Sequence, residues 1–307
     1  MKKFLNILGI FGAVAFMLSS CEENAIPVRT EYVSEGALVK LYNHVEGSPM
    51  VNFYLNDERI TANTPAASGA IRGLAFGNTY PNTYGYATVS AGAFTMAVRD
   101  TSTKAPSTYD PAANCKVLTW QTLPTPYNKL AEQAVTLDQN SSYSAFLVGT
   151  PNVMSTTNCG TAQTPSTYEL LVTRDNLPPA DFSKVYFRFM NTLAKAPYNF
   201  DVVATRVAKA ATATTPAITE VKTVIATNIA FKEFGQYVEV PMGEYRVDFY
   251  KAGTYGTAGE VKYSSYPTSS STATITTLAL GRVYTFFLRG TYSSPSKTTH
   301  MDYWRER

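Results

Sequence analysis

The sequence has little charge and few of the residue types on which catalytic and metal sites depend. Only 16% of its 307 residues are charged, and it contains two histidines, three cysteines and two tryptophans. Residues 1–20, interpreted below as a leader, include two lysines and no acids, so the rest of the chain carries 24 basic and 23 acidic residues. A nearly neutral chain has no electrostatic footprint for a polyanion, so we expect no nucleic-acid partner.

Sequence motifs for catalysis and metal binding are also missing. The chain has no G-x-S-x-G, P-loop, H-E-x-x-H or EF-hand string, and His44 and His300 are expected in different parts of the fold. Five carboxylates near predicted turns, in strands or at strand ends are Asp57, Glu58, Asp181, Asp201 and Asp248. We interpret them as ordinary solvated charges and predict a protein that is not an enzyme, with no metal and no cofactor. A hydrolase using two carboxylates is a third-ranked hypothesis.

The N-terminus has the pattern of an export signal. Met1-Lys2-Lys3 is positively charged, and the run from Phe4 to Leu18 is apolar except for Asn6. This run is shorter than the roughly 20 residues that cross a bilayer, so it indicates a secretory signal peptide over residues 1–20.

The segment that closes this run, Leu18-Ser19-Ser20-Cys21, resembles the bacterial lipobox. The resemblance implies that Cys21 carries a diacylglycerol and becomes the acylated N-terminus of the mature chain, and two or three acyl chains give stable anchoring. Glu22 and Glu23 resemble the acidic export signal of Bacteroidota-type surface lipoproteins. We therefore expect a flexible tether over 21–35, with the protein lipid-anchored in the outer membrane and facing the cell exterior.

After the tether, apolar and polar residues alternate with a period of two, which predicts many short antiparallel strands. Asn56-Asp57 and Ala91-Gly92 are the turns that most resemble hairpins. The two halves also repeat one another. The matching segments are Leu41-Tyr42-Asn43 with Phe189-Met190-Asn191, Val89 to Phe94 with Val240 to Tyr245, and Tyr143 to Gly149 with Tyr284 to Gly290.

These repeated segments resemble a family of immunoglobulin-like modules from secreted and lipid-anchored bacterial proteins, a family with no assigned activity. The closest matches are Val51 to Asp57, Val240 to Val247 and Leu278 to Gly290. The resemblance implies an all-β chain with two tandem antiparallel immunoglobulin-like β-sandwiches. We predict one module over 36–176, a proline-containing joint over 177–180 and a second module over 181–307. Long excursions at 100–129 and 204–220 depart from the family pattern.

Four residues outside the predicted core are candidate site residues, two for a disulfide and two for binding. Cys115 and Cys159 form an even pair in an exported chain, which favours a disulfide over two free thiols. Trp120 and Tyr127 belong to the first excursion and could form an aromatic platform for a ligand.

The sequence leaves two leading functional hypotheses. The first is a cell-surface recognition module for a glycan or a protein, because loops on such a scaffold carry recognition. The alternative is a structural or assembly subunit of an envelope complex, in which exposed strand edges pair with a partner.

Overall fold

A computed structural model describes residues 36–61, 72–82, 85–101, 104–113, 115–122, 128–151, 153–154, 159, 162–214, 216–267 and 275–307. The predicted signal peptide and tether, with Cys21, Glu22 and Glu23, lie outside these ranges. The described chain from Gly36 to Arg307 belongs to one compact unit. None of the helices within the described ranges is long and apolar enough to cross a membrane.

The chain is all-β, as the alternation predicts. The strands of the N-terminal half are β1 (Ala37–Asn43), β2 (Val51–Leu55), β3 (Glu58–Arg59), β4 (Thr79–Tyr80), β5 (Ala87–Val89), β6 (Gly92–Asp100), β7 (Lys104–Asp110), β8 (Lys116–Thr122), β9 (Lys129–Leu137), β10 (Ser142–Val148), β11 (Val153–Met154), β12 (Ala162–Thr164) and β13 (Glu169–Arg174). Those of the C-terminal half are β14 (Val185–Ala194), β15 (Phe200–Arg206), β16 (Val221–Ile229), β17 (Val238–Val240), β18 (Gly243–Lys251), β19 (Lys262–Tyr266), β20 (Ile275–Leu278), β21 (Arg282–Thr291) and β22 (Met301–Arg305). One-turn 3-10 helices cover Pro111–Ala113 and Thr298–His300.

Each half encloses one apolar core between two sheets, as in a β-sandwich. In the N-terminal half the sheets run β13-β10-β1-β4, with β5 also on β1, and β3-β2-β6-β9. In the C-terminal half they run β17-β14-β21-β22 and β16-β15-β18-β19, with β20 also on β18. The first core includes Val39, Leu41 and Phe53, and the second includes Phe187, Phe189 and Phe249.

The internal repeat extends to pairing and hydrogen bonding. The first strand of each half pairs in parallel with a later one, β1 with β10 and β14 with β21. Buried Asn43 donates its side-chain N–H to the Leu74 carbonyl over 3.0 Å, and buried Asn191 donates in the same way to Ile229 over 3.2 Å. Each asparagine therefore holds the loop that returns to its strand.

A tyrosine hydroxyl fixes the corner before β10 and before β21. Tyr143 accepts the backbone N–H of Asp138, and Tyr284 accepts that of Ala279, each five residues upstream. Immunoglobulin-like domains use a comparable tyrosine corner.

The two halves pack against each other through the sheet faces that point away from their own cores. The outer face of β1 and β10 contacts the outer face of β14 and β21. Along β1, Val39 and Leu41 point into the N-terminal core, while Lys40 and Tyr42 point to the other half. We call the side chains between these two sheets the middle layer. Because both faces of these strands are covered, the strands are buried along almost their whole length.

The strands β1 and β14 run in the same direction across the middle layer. Lys40 of β1 lies over the ring of Trp304 in β22, near the beginning of the two strands. Four residues later along the chain, His44 bonds to Thr192 of β14, near their end. We define the proximal end as the end where β1 and β14 begin, and the distal end as the end where they finish. The described chain therefore starts, at Gly36, on the proximal end.

The prediction of a hairpin turn at Ala91-Gly92 is wrong. Ala91-Gly92 does not close a hairpin, because β5 pairs with β1 in one sheet whereas β6 pairs with β2 and β9 in the other. The chain crosses between sheets at Gly92, whose φ of 144° suits a residue without a side chain. The Asn56-Asp57 turn does close a hairpin, between β2 and β3.

Candidate functional site

Two loop segments leave the N-terminal half at its distal end. One is the predicted excursion over 100–129, and the other lies between β10 and β13; both are called excursions below. The first follows β6, whose last residue Asp100 pairs with Val51, and the second follows β10. In the first, β7 and β8 form a two-stranded sheet of their own, and in the second β11 pairs with β12. A lone two-stranded hairpin is only marginally stable in water, so each excursion needs a further constraint.

That constraint is a disulfide between Cys115 and Cys159, with an S–S distance of 2.03 Å and Cα atoms 5.2 Å apart. Cys115 lies at the turn between β7 and β8, and Cys159 lies between β11 and β12. The bond closes a loop of 44 residues and contributes about 4 kcal/mol on the chain-entropy estimate. We call the two joined excursions the stapled hairpins.

The described surface of the stapled hairpins is mostly polar, with one large apolar side chain exposed. Ser107 and Thr108 both contact the Thr119 hydroxyl across the strands, at 2.7 and 2.6 Å. Leu118 is 58% exposed. Trp120 pairs through its backbone with Pro106, while its side chain and the whole of Tyr127 lie outside the described residues.

An open cleft of about 370 Å³ lies at the base of the stapled hairpins. Its lining consists of Pro49, Asp100, Asn128, Lys129, Leu130, Ser166 and Tyr168. The lining combines a carboxylate, an amide, an ammonium group and hydroxyls with an aromatic ring, and its volume lies in the range of small-ligand sites. Burial, together with the charge of Asp100, raises the pKa of Tyr168, so this phenol is neutral and can donate or accept a hydrogen bond.

The middle layer contains a second group of polar side chains, which the sequence analysis did not identify. Each half contributes a cation, a hydroxyl, a carboxylate and a tyrosine at equivalent positions of the repeat. The N-terminal set is Lys40, Ser144, Asp175 and Tyr86, and the C-terminal set is Arg188, Thr285, Glu306 and Tyr237. A signal was present in the sequence, since Lys40 and Arg188 are charges at matching places in otherwise apolar strands.

Arg188 joins the two sets. Its Nη2 lies 2.5 Å from Asp175 and 2.8 Å from Glu306, and its Nε donates to Thr285. Tyr237 donates its hydroxyl to Glu306. Because both carboxylate side chains are fully covered and bonded to the guanidinium, this pair ties the two halves together and is closed to a substrate.

Lys40 lies in the same layer and is fully buried. Its ammonium group donates to the Gly85 carbonyl over 2.7 Å and lies 4.7 Å from the centre of the Trp304 ring. Burial lowers the pKa of Lys40 to about 7, although the charges of Glu306 and Asp175 oppose this shift. Burial also raises the pKa of Asp175, against the opposing effect of Arg188.

Toward the distal end the middle layer becomes aromatic. Tyr42 stacks on Phe146 at 4.4 Å, and Phe287 from the other half contacts both rings. His44 bonds through Nδ1 to the Thr192 hydroxyl at 2.8 Å. That hydroxyl donates its own proton to the Leu288 carbonyl, so Nδ1 of His44 carries the proton. Burial holds the pKa of His44 well below its usual value, which keeps the ring neutral.

The remaining histidine also lies where the two halves meet. His300 accepts the Tyr263 hydroxyl at Nδ1 over 2.9 Å, and its Nε2 faces Glu46 of the other half at 3.5 Å. Glu46 also pairs with Lys297 at 2.7 Å. Burial lowers the pKa of His300, and Glu46 opposes the shift.

The carboxylates considered from the sequence occupy separate places. Asp57 pairs with Arg99 at a hairpin turn. The expectation of solvated charges is wrong for Asp201 and Asp248, which are buried. Asp201 accepts the backbone N–H of Asn228, and Asp248 accepts hydrogen bonds from neighbouring side chains, so both charges are satisfied inside the fold.

No protein-family model matches the chain, and no curated protein is significantly similar to it. Within the described ranges, no group of three or more histidine, cysteine or acidic side chains is arranged to hold a metal ion.

Proposed function

We propose that this protein is a lipid-anchored outer-membrane protein that faces the cell exterior and recognises a ligand with its distal end. The observation that carries the proposal is the position of the stapled hairpins. They leave the fold at its distal end. Gly36, to which the tether from Cys21 would connect, lies at the opposite, proximal end. A site far from the membrane is open to molecules outside the cell, and loops fixed on a rigid scaffold are suited to recognition.

The chemistry of the cleft favours a glycan as the ligand. Asp100, Asn128 and Lys129 offer acceptors and donors for sugar hydroxyls, and Tyr168 offers a ring and a hydroxyl. The exposed Leu118 on the adjacent hairpin extends the surface for a second contact.

The test uses a fragment beginning at Thr30, which keeps every described strand. It is applied to an array of purified polysaccharides and to a panel of purified extracellular proteins. We expect saturable binding that is lost in N128A/K129A and weakened in L118S. The matched control V224S changes an exposed valine on β16 and should bind like the wild type. No saturable binding, or equal binding by all four chains, would contradict the proposal.

A structural or assembly role is the second candidate, and a specific strand favours it. Among the described residues β16 is an edge strand that pairs only with β15, and its Val224 is 46% exposed. Edge strands of this kind accept a further strand from a partner. If this role is correct, an envelope complex co-purifies with the full chain and is lost in V224K, while L118S has no effect.

A further inference from the structure

We propose that the proximal end of the C-terminal half rests on the lipid surface to which the chain is anchored, through an apolar patch of Phe182, Met242 and Leu280. This inference rests on the proposed lipid anchor. It adds a second contact with the membrane, made by the folded domain itself.

The three patch residues are among the most exposed large apolar side chains described. Phe182 is 82% exposed, Met242 48% and Leu280 46%. The ring of Phe182 packs against Gly281, where an added Cβ would lie 3.0 Å from it. Contiguous exposed apolar surface on a protein marks an interaction site more often than isolated exposed residues do.

The patch continues the C-terminal core outward at the open end of the sandwich. Buried Val185 lies three residues after Phe182, and buried Val240 and Leu278 each lie two residues before Met242 and Leu280. Pairing brings these segments together, because Val185 lies opposite Val240 and Gly243 lies opposite Leu278.

The repeat shows that the fold does not require apolar residues here. Ala91 and Gln139 of the N-terminal half stand at the places of Met242 and Leu280, and both are exposed. The turn itself is the same in both halves, since Asn140 has a φ of 60° and the matching Gly281 one of 75°. Among the described residues, therefore, only the C-terminal half presents a large apolar surface at this end.

The position of the chain outside the described residues identifies the occupant as a lipid surface. Gly36 lies at the proximal end, and fourteen residues, 22–35, separate it from Cys21. Such a tether reaches at most about 50 Å. The tether from an acylated Cys21 therefore joins the fold at this end, which faces the membrane when the stapled hairpins point away from it.

The charges around the patch are compatible with anionic headgroups. Lys184, Arg282 and Arg307 lie near it, as do the acids Asp181, Glu239 and Glu244. Lys184 is paired to Glu239, and Lys209 is paired to Glu244. Apolar side chains next to lysine and arginine are the composition of interfacial membrane contacts.

The test measures flotation of the fragment beginning at Thr30 with vesicles of phosphatidylethanolamine and phosphatidylglycerol. Both cores and all described strands lie within this fragment. The variant F182S/M242A/L280Q introduces small or polar residues, two of them taken from the matching positions of the N-terminal half. We expect its partitioning to fall about tenfold or more, since it loses most of the apolar area that the vesicle would cover. The control M50S/V261S removes two exposed apolar residues at the distal end and should float like the wild type.

Equal flotation of both variants, or no flotation of the wild-type fragment, overturns the proposal. A second measurement guards against misfolding of the triple variant. In fragments carrying F182W or V261W, brominated lipids in the vesicle should quench the added fluorescence at position 182 and leave that at 261 unchanged. Equal quenching at the two positions also overturns it.

The fragment lacks Cys21, so its flotation does not depend on acylation. Incorporation of labelled palmitate into the full chain, and its loss in C21S, tests the anchor separately. Labelled full chain with a fragment that does not float refutes the patch alone, whereas a floating fragment with unlabelled full chain refutes the anchor alone.

Discussion

Replacing Lys40 with methionine tests the physical description of the middle layer. The ammonium group is fully buried, and burial lowers its pKa to about 7 from 10.5 in the unfolded chain. Between these two values the unfolded chain holds a proton on Lys40 that the folded chain does not. Raising the pH in this range therefore stabilises the folded state.

The expected size of the effect follows from the two pKa values. At 1.36 kcal/mol for each pH unit, the free energy of unfolding should rise by about 2 kcal/mol between pH 7 and pH 9. The upper limit lies about one unit below the pKa of an unfolded tyrosine, so tyrosine ionisation changes the free energy of unfolding only slightly. K40M has no proton to lose and keeps an unbranched side chain beside Trp304, so its free energy of unfolding should be nearly flat over the same range.

The assay is urea unfolding at several pH values, followed by tryptophan fluorescence. The control K222M removes a solvent-exposed lysine and should keep the full rise with pH. If K40M shows the same rise as the wild type, the pH dependence does not come from Lys40, and our account of the middle layer is wrong.

Three further predictions concern stability. R188M should lower the free energy of unfolding by about 3–5 kcal/mol in urea titrations, because two buried carboxylates lose their shared guanidinium, whereas an unchanged midpoint would contradict the network. C115S/C159S should leave both cores folded by circular dichroism but expose the stapled hairpins to limited proteolysis, and unchanged protease resistance would show that the disulfide is not their main constraint. N43A and N191A should each cost about 2 kcal/mol in thermal unfolding, since each removes the side-chain acceptor of a buried backbone N–H, that of Val45 or of Leu193, and a large difference between them would argue against equivalent roles in the repeat.

The alternation of apolar and polar residues was enough to predict the all-β class, and the repeat predicted equivalent elements in the two halves. Period-two patterning fixes which side chains face one core, so strands such as β6 and β18 could be placed from the sequence. The turn at Ala91-Gly92 could not be assigned, because a glycine with positive φ serves a hairpin and a crossing between sheets equally well.

The middle layer could not be predicted for a different reason. Its strands are buried on both faces, so Lys40 and Arg188 stand where a single sandwich would place solvent-facing residues. Only the packing of the two halves makes those positions internal. Two partners of Arg188 come from the end of the N-terminal half and from the end of the C-terminal half, and local patterning carries no information on such distant contacts.

The candidate site was predictable only in part. Two cysteines in a chain expected to be exported were enough to favour a disulfide, but the cleft depends on Pro49, Asp100 and Ser166 coming together from three distant segments. The apolar patch could not be foreseen either, because Phe182, Met242 and Leu280 each resemble a core residue in the sequence.

Protease treatment of intact cells, with permeabilised cells as the control, tests the central claim most directly. If the protein faces outward with its stapled hairpins away from the membrane, protease should cut the mature chain in intact cells, and reduction of the disulfide should speed cleavage within residues 104–122. Protection of the whole chain until the cells are permeabilised would place it inside the envelope and contradict recognition at the cell surface.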